Sequence, residues 1–128
     1  MLIDRAAFAR LCEARAALCR PDEAAPSLAS VAARLGVSRF RLIRQFRAVF
    51  GTTPRQAQID ARLERARELL AGGRHTVTDA CMEVGFSSLG SFSALFTRRT
   101  GTTPSAYRRR ARRDAPGCLT LLSRLPPP

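Results

Sequence analysis

Arginine is the residue type in this sequence with the most evident chemistry, because all 22 basic side chains are arginines. Up to Ala33 there are four arginines and four acids, whereas the remainder holds eighteen arginines and six acids and so carries the whole net charge of +12. Codon bias explains arginine in place of lysine, but it does not explain the excess over acidic residues. A folded chain this basic favours a polyanion as its partner.

The spacing of the arginines between residues 39 and 50 indicates how they could be used. On a helical wheel the large apolar side chains fall on one side, which predicts a buried face of Leu42, Phe46, Val49 and Phe50. The opposite side holds Arg44, flanked by Phe40, Arg41 and Arg47. An α-helix fits the major groove of DNA, where arginine donates a bidentate pair of hydrogen bonds to guanine and an apolar side chain contacts a thymine methyl. The alternative is an ordinary solvated face.

A second stretch, residues 88–99, has a different outward face. Its buried face is again apolar and consists of Phe92, Leu95 and Phe96. The outward residues are small: Gly90, Ser91, Ser93, Ala94 and Thr97. Such a face can approach DNA closely but can read few base edges, whereas Arg98 and Arg99 lie where backbone phosphates could be contacted without sequence preference.

Each stretch is the second half of a predicted helix-turn-helix. From Thr76 a short helix is expected, with Asp79 three residues on as a weak capping box. Gly85 breaks the run, because glycine readily takes the left-handed conformation that ends a helix. Ser87 is the expected cap of the following helix, and Gly101 is its expected end. Two helices across a short glycine turn form the helix-turn-helix pattern.

The pattern occurs twice, which makes an ordinary helical hairpin a poorer explanation. Residues 31–54 repeat it, with Gly36 matching Gly85 and Ser38 matching Ser87. The run Gly-Thr-Thr-Pro at 51–54 recurs letter for letter at 101–104. Each run ends one helix with glycine and starts the next with threonine and proline. Two copies are too few for a solenoid and indicate two equivalent modules.

The remaining segments complete an all-α prediction, since no alternating β-branched run appears. A first helix is expected over Ile3–Arg20, with a buried stripe of Phe8, Leu11, Cys12, Ala16 and Cys19. A helix over Pro54–Ala71, capped by Thr53 and Gln56, would be about 27 Å long and could hold two modules roughly one DNA turn apart. A last helix is expected over Pro104–Arg110. The predicted segments are 1–53, 54–71, 72–113 and a loose tail of 114–128.

Other chemistries are poorly supported. The four cysteines, Cys12, Cys19, Cys81 and Cys118, form no Cys-x-x-Cys pair, and His75 is the only histidine, so neither a metal nor another cofactor is expected. Cys12 and Cys19, seven residues apart on one helix, are interpreted as small core residues, with redox sensing as the alternative. No apolar run reaches the length of a membrane span, and the acid-containing N-terminus is unlike a signal peptide. An enzyme is disfavoured, because no paired carboxylates lie in an apolar setting and no glycine-rich phosphate loop occurs.

The stretch GFSSLGSFSALFTRRTGTTPSAYRR resembles the signature of the AraC/XylS family of bacterial transcription regulators. RLGVSRFRLIRQFRAVFGTTP and RLERARELL are similar to other parts of the same domain. The resemblance covers about Ile3 to Arg110 and implies seven helices, with two helix-turn-helix modules joined by a rigid linker helix. The chain is similar to the short standalone members of the family, and this similarity implies a monomer on DNA.

The resemblance also implies which residues contact DNA. Base contacts are expected at Arg39, Phe40, Ile43 and Arg44 in the first module and at Leu89, Gly90, Ser91, Ser93 and Ala94 in the second. Phosphate contacts are expected at Arg41, Arg47, Thr97, Arg98 and Arg99. The second set of base-contacting positions lacks the glutamine or arginine that other members carry, which predicts weak direct readout by the second module.

The sequence therefore predicts a sequence-specific regulator that binds double-stranded DNA. It is expected to be an activator that also touches RNA polymerase, acting at the nucleoid in the cytoplasm with no membrane partner. The alternative is an accessory protein-interaction module of the same fold, which would act through RNA polymerase or a larger regulator. The weak second recognition face and the leucines of the tail favour that alternative, and salt-dependent, sequence-selective DNA binding would separate the two.

Overall fold

The computed structural model of the chain describes residues 3–21 and 25–114. This part of the chain is all-helical and contains seven helices: α1 (Arg5–Leu18), α2 (Leu28–Leu35), α3 (Arg39–Phe50), α4 (Pro54–Ala71), α5 (Val77–Glu83), α6 (Leu89–Thr100) and α7 (Pro104–Asp114). The predicted all-α class and the seven-helix order, with two helix-turn-helix modules and a long linker helix, are confirmed. The predicted loose tail lies, apart from Asp114, outside the described residues.

The chain divides into two compact units, one ending at Arg62 and the other beginning at Leu63. The division falls inside α4, so this helix contributes its first half to one unit and its second half to the other. The segment boundaries expected from the sequence stay a prediction, and the two units are described separately below.

In the first unit, polar caps and a glycine fix the helix ends. The side chains of Asp4, Ser27 and Ser38 each accept a hydrogen bond from the N–H three residues on, which begins α1, α2 and α3. Gly36 ends α2 in the left-handed region at a φ of 69°. An L-residue with a β-carbon rarely adopts this conformation, so the tight turn into α3 requires glycine there.

The core of the first unit lies between its first three helices, since α1 packs on α2 and α2 packs on α3. It consists of Leu11, Ala14, Leu18, Val31, Ala32, Leu42 and Phe46. The ring of Phe46 meets that of Phe50 edge-on with 4.7 Å between centroids, and the guanidinium of Arg15 lies over Phe50 at 4.5 Å. These contacts fix which face of α3 is buried and leave the opposite face in solvent.

In the second unit, α5 begins with a complete capping box. The hydroxyl of Thr76 accepts from the N–H of Asp79 at 3.1 Å, and the carboxylate of Asp79 accepts from the N–H of Thr76 at 3.3 Å. After α5, Gly85 has a φ of 89° and turns the chain, and Ser88 caps α6 by accepting from the N–H of Ser91. The predicted capping box and the predicted glycine turn are both present.

An aromatic series holds the second unit together. Ring centroids are 5.3 Å apart for Phe86 and Phe92, 5.7 Å for Phe92 and Phe96, and 5.6 Å for Phe96 and Tyr107. Such tilted and edge-on pairs are favourable beyond the area they bury. Because α5, α6 and α7 all pack on one another, this series fixes the buried face of α6.

Several details of the predicted helices are wrong. The helix expected over Ile3–Arg20 is shorter, because the side chain of Asp4 caps it at Arg5. Its expected stripe is displaced: α1 buries Leu11, Ala14 and Leu18, whereas Phe8 is 45% exposed, Ala16 is exposed, and Cys12 and Cys19 are only half-buried. The helix is rich in alanine, so its small side chains mark no clear apolar face.

Two further corrections concern caps. Ser88, not Ser87, caps α6, which therefore runs over 89–100 rather than 88–99. Two residues separate Gly85 from this cap, whereas one residue separates Gly36 from the cap of α3. The hydroxyl of Thr53 does accept from the N–H of Gln56 at 3.1 Å, but the amide of Gln56 donates to Asp60 at 2.9 Å instead of closing a capping box. The last helix is longer than expected and reaches Asp114.

Candidate nucleic-acid interface

The outward face of α3 carries the longest side chains of the candidate interface. Arg39, Phe40, Arg41, Arg44 and Arg47 are all exposed, and Ile43 is half-buried beside them. Phe40 is 73% exposed, although burial is favourable for a side chain of this size. A row of arginines with one bare aromatic ring is a surface suited to base edges, thymine methyls and phosphates.

The position of this face follows from the core beneath it. Leu42 and Phe46 on the other side of α3 are 0% exposed. The N-terminal end of the helix is held by Ser38, whose hydroxyl accepts from the N–H of Arg41 at 3.1 Å. Arg44 lies two residues from each buried anchor, about 200° around the helix, so it points away from the core. The packing of two apolar side chains thus aims one guanidinium outward.

The outward face of α6 is shallow by comparison. Gly90, Ser91 and Ala94 are exposed, and Leu89 is 45% exposed. Ser93 is half-buried, and its carbonyl accepts a hydrogen bond from the hydroxyl of Thr97 at 2.7 Å. These side chains are too short to span a groove, so α6 presents mainly its backbone and single hydroxyl groups to a ligand.

The residues expected at phosphates lie on the same two helices. Arg41 and Arg47 are exposed on α3, and Arg98 and Arg99 are exposed near the C-terminal end of α6. Thr97 differs from them, because it is half-buried and its hydroxyl hydrogen is donated to the helix backbone. Because phosphate oxygens only accept hydrogen bonds, Thr97 can donate to a phosphate only by giving up its bond to Ser93, and it is the weakest of the expected phosphate contacts.

A further basic surface lies on α7 and was not assigned a role from the sequence. The side chain of Arg108 donates to the carbonyl of His75 at 2.8 Å, which ties α7 to the loop before α5. Arg109, Arg110, Arg112 and Arg113 are exposed around a shallow concavity of about 470 Å³. The run RRRARR at 108–113 was the available signal for this surface.

Three other features were considered in the described part of the chain: metal-binding side chains, membrane spans and reactive cysteines. Within it, no group of three or more histidine, cysteine, aspartate or glutamate side chains is close enough to hold a metal ion. No helix there is both long enough and apolar enough to cross a membrane. Burial raises the pKa of Cys19 and of Cys81; for Cys19, nearby Arg15 opposes this shift and Asp60 adds to it. Raised pKa values leave little reactive thiolate at neutral pH.

Comparison with known proteins agrees with this geometry. A family model described as a helix-turn-helix domain matches residues 31–110. The "RCS-specific HTH-type transcriptional activator RclR" of Escherichia coli is 38% identical over 90 residues, covering 70% of this chain and 31% of that protein. The chain spans less than half the length of the curated relatives it matches.

Solved structures also share the fold. The AraC-type DNA-binding regulator from Chromobacterium violaceum is 30% identical with a TM-score of 0.74, covering 89% of this chain and all of its own. The DNA-binding domain of AdpA, solved with a target DNA, is 31% identical with a TM-score of 0.74, covering 84% of this chain and 96% of its own. Paired helix-turn-helix modules define a class of DNA-binding proteins. Within that class the chain belongs to the AraC-type helix-turn-helix family of transcription regulators.

Proposed function

We propose that the chain recognises a specific double-stranded DNA sequence, with α3 and α6 in successive major grooves and with α3 reading most of the bases. The observation that carries this proposal is the contrast between the two outward faces. Arg44 and Phe40 stand exposed on α3, whereas Gly90 and Ser91 occupy the matching face of α6. Only side chains long enough to reach base edges can discriminate among all four base pairs in the major groove.

The side chains on the outward face of α3 have three proposed roles. Arg44, opposite the core, donates a bidentate pair to guanine, and Arg39 reaches a second base from the first turn. Phe40 and Ile43 contact thymine methyl groups. Arg41 and Arg47, on the flanks of this face, bind the phosphates on either side of the groove. The helix thus combines sequence readout with positioning.

The proposed role of α6 is close approach and positioning. Leu89, Gly90, Ser91 and Ser93 touch base edges through apolar contact and single hydroxyl bonds. Arg98 and Arg99 bind phosphate, with Thr97 as a minor contact. Because short side chains allow the backbone near the duplex, α6 responds to groove shape more than to individual base edges.

Activation of transcription is the proposed outcome of binding. RclR is named as an activator, and activation would require a second contact, for which we propose RNA polymerase. We further propose that the chain binds its site as a monomer, since one copy already contains two recognition helices. A DNA partner places the protein at the nucleoid in the cytoplasm.

A second candidate function is an accessory module that regulates through a protein partner. The shallow α6 face favours it, and so does Met82 of α5, which is 57% exposed in the same unit. In that case DNA affinity would be weak and indifferent to sequence. The two functions therefore differ in selectivity rather than in affinity alone.

Selection from a randomised duplex pool tests the proposal, followed by pull-down of genomic DNA with the same protein. We expect one enriched sequence whose conserved bases lie mainly in one half-site, and we expect that sequence to occur among the genomic fragments. A pool that stays random after repeated rounds, with a partner protein recovered in the pull-down, would favour the accessory module.

A further inference from the structure

A cavity in the first unit lies apart from both recognition helices. Its volume is about 400 Å³, within the usual range of small-molecule sites. It lies where the end of α1 meets the starts of α2 and α4, and none of its lining residues belongs to α3 or α6. Leu18, Leu28 and Pro54 form apolar walls, and Arg55, Gln58 and Arg62 supply polar groups.

Arg62 carries an unsatisfied donor at this cavity. Its Nε atom is shut off from solvent, and no acceptor within the described residues bonds to it. The residue as a whole is half-buried and lines the cavity. A buried donor without a partner is costly in a folded chain, and it marks a position where an acceptor from outside would be favourable.

The charges around the cavity favour an anion as that acceptor. Arg55 and Arg62 are the charged lining residues described, and no described carboxylate lines the wall. The starts of α2 and α4, at Leu28 and Pro54, border the same space and add the positive ends of two helix dipoles. The side-chain amide of Gln58, which also lines the cavity, is able to donate to a carboxylate oxygen.

We propose that this cavity binds a small monocarboxylate with a compact apolar body. The carboxylate pairs side-on with Nε and one terminal nitrogen of Arg62, a fork geometry that arginine favours. Nε is closed to water in this structure, so the guanidinium turns into the cavity on binding, a rotamer change that is common at binding sites. The apolar body packs against Leu18 and Leu28. A DNA phosphate fits less well, since it offers no apolar group to those walls.

Cyclohexanecarboxylate and its neutral counterpart cyclohexanecarboxamide are a matched pair of probes for this site. Each is titrated into the full chain at one fixed ionic strength, without DNA, while the methyl NMR signals of Leu18, Leu28 and Ile43 are followed. We expect the acid to cause saturable shifts at Leu18 and Leu28 and little change at Ile43. The amide should bind at least about tenfold more weakly than the acid. The test does not depend on the proposed DNA-binding function.

Two variants and one control separate the charge from the fold. Arg62→Gln should weaken binding of the acid about tenfold or more, and Arg55→Gln, at an exposed position, by about two- to fivefold. Arg34→Gln removes the same charge from α2 outside the cavity and should leave binding unchanged. Circular dichroism checks that each variant is folded. If Arg62→Gln is not folded, the affinities of Arg55→Gln and Arg34→Gln for the acid are compared instead, and that comparison tests the proposal.

Three results would overturn the proposal. The first is equal binding of acid and amide, or no saturable binding of either. The second is shifts confined to Ile43, which would place the anion on the α3 face instead. The third is unchanged affinity for the acid in a folded Arg62→Gln or Arg55→Gln variant.

Discussion

Two phenylalanines on α3 allow folding and DNA binding to be separated with the same substitution. Phe46 is 0% exposed and meets the ring of Phe50, whereas Phe40 is 73% exposed. Phe46→Ala removes a fully buried ring and should cost about 3–5 kcal/mol of unfolding free energy, a large share of a typical domain's total stability. Phe40→Ala should change that free energy by less than about 0.5 kcal/mol, as for other exposed positions.

The effect on DNA binding should run the other way. Phe40→Ala is expected to weaken binding to the selected site by about three- to tenfold, because a lost thymine-methyl contact is worth less than a bidentate pair. Urea denaturation gives the unfolding free energies, and fluorescence anisotropy with a labelled duplex gives the affinities. The reasoning fails if Phe40→Ala destabilises the protein by more than about 2 kcal/mol, which would mean that the ring packs. It also fails if the folded variant binds as wild type does.

Three further predictions concern charge, redox and capping. If Arg98 binds phosphate as one of four such arginines, the logarithmic salt slope should be roughly −3 to −4 and Arg98→Ala should reduce it by about 1, measured by anisotropy over a salt series. Peroxide should leave DNA binding of the folded protein unchanged, because Cys12, Cys19 and Cys81 all lie outside α3 and α6 and burial raises the pKa of Cys19 and Cys81. Thr76→Ala should cost about 0.5–2 kcal/mol by breaking the capping box with Asp79, measured by urea denaturation.

Each of these predictions has a control and a contrary result. Arg5→Ala, at an exposed position of α1, should leave the salt slope unchanged, and a slope near zero in wild type would contradict DNA binding through arginine. For redox, a peroxide response that disappears in Cys12→Ser would show a reactive thiol. For capping, Thr78→Ala in the same helix is the control, and equal losses from Thr76→Ala and Thr78→Ala would mean that helix propensity rather than the cap is responsible.

Helix boundaries were predictable where a local rule decides them. Ser27 and Ser38 cap helices through their own side chains, and Gly36 takes a left-handed conformation that few other residues adopt. The second turn was placed one residue early, because Ser87 and Ser88 are equally good caps and only tertiary packing selects between them. Local chemistry thus names the candidates but does not always choose among adjacent ones.

Burial on α1 was harder to predict for a related reason. A stripe through Phe8 and Cys12 looks plausible on a helical wheel, yet the helix turns Ala14 and Leu18 inward. Several faces of α1 carry alanine or cysteine, whose small side chains differ little in hydrophobic area. Which face is buried therefore depends on the neighbours that α2 and α3 supply. On α3 the large side chains of Leu42 and Phe46 leave no such choice, and their burial was predicted correctly.

The composition of the candidate interface was predictable, whereas the role of each residue in it was not. Arg44 and Phe40 are exposed as the wheel predicts, because both follow from the buried face of one helix. Which arginine reaches a base rather than a phosphate depends on how the duplex lies against α3, and no local rule of the chain encodes that.

The central claim is that the first module reads sequence through Arg44 while the second mainly positions the protein. A base-substitution scan of the selected site with wild type, Arg44→Ala and Ser93→Ala tests it most directly. Arg44→Ala should weaken binding to the selected site by about 1–3 kcal/mol and flatten the base preference in one half-site, whereas Ser93→Ala should do much less. If Arg44→Ala leaves the preference profile unchanged while Ser93→Ala collapses it, the roles of the two modules are reversed.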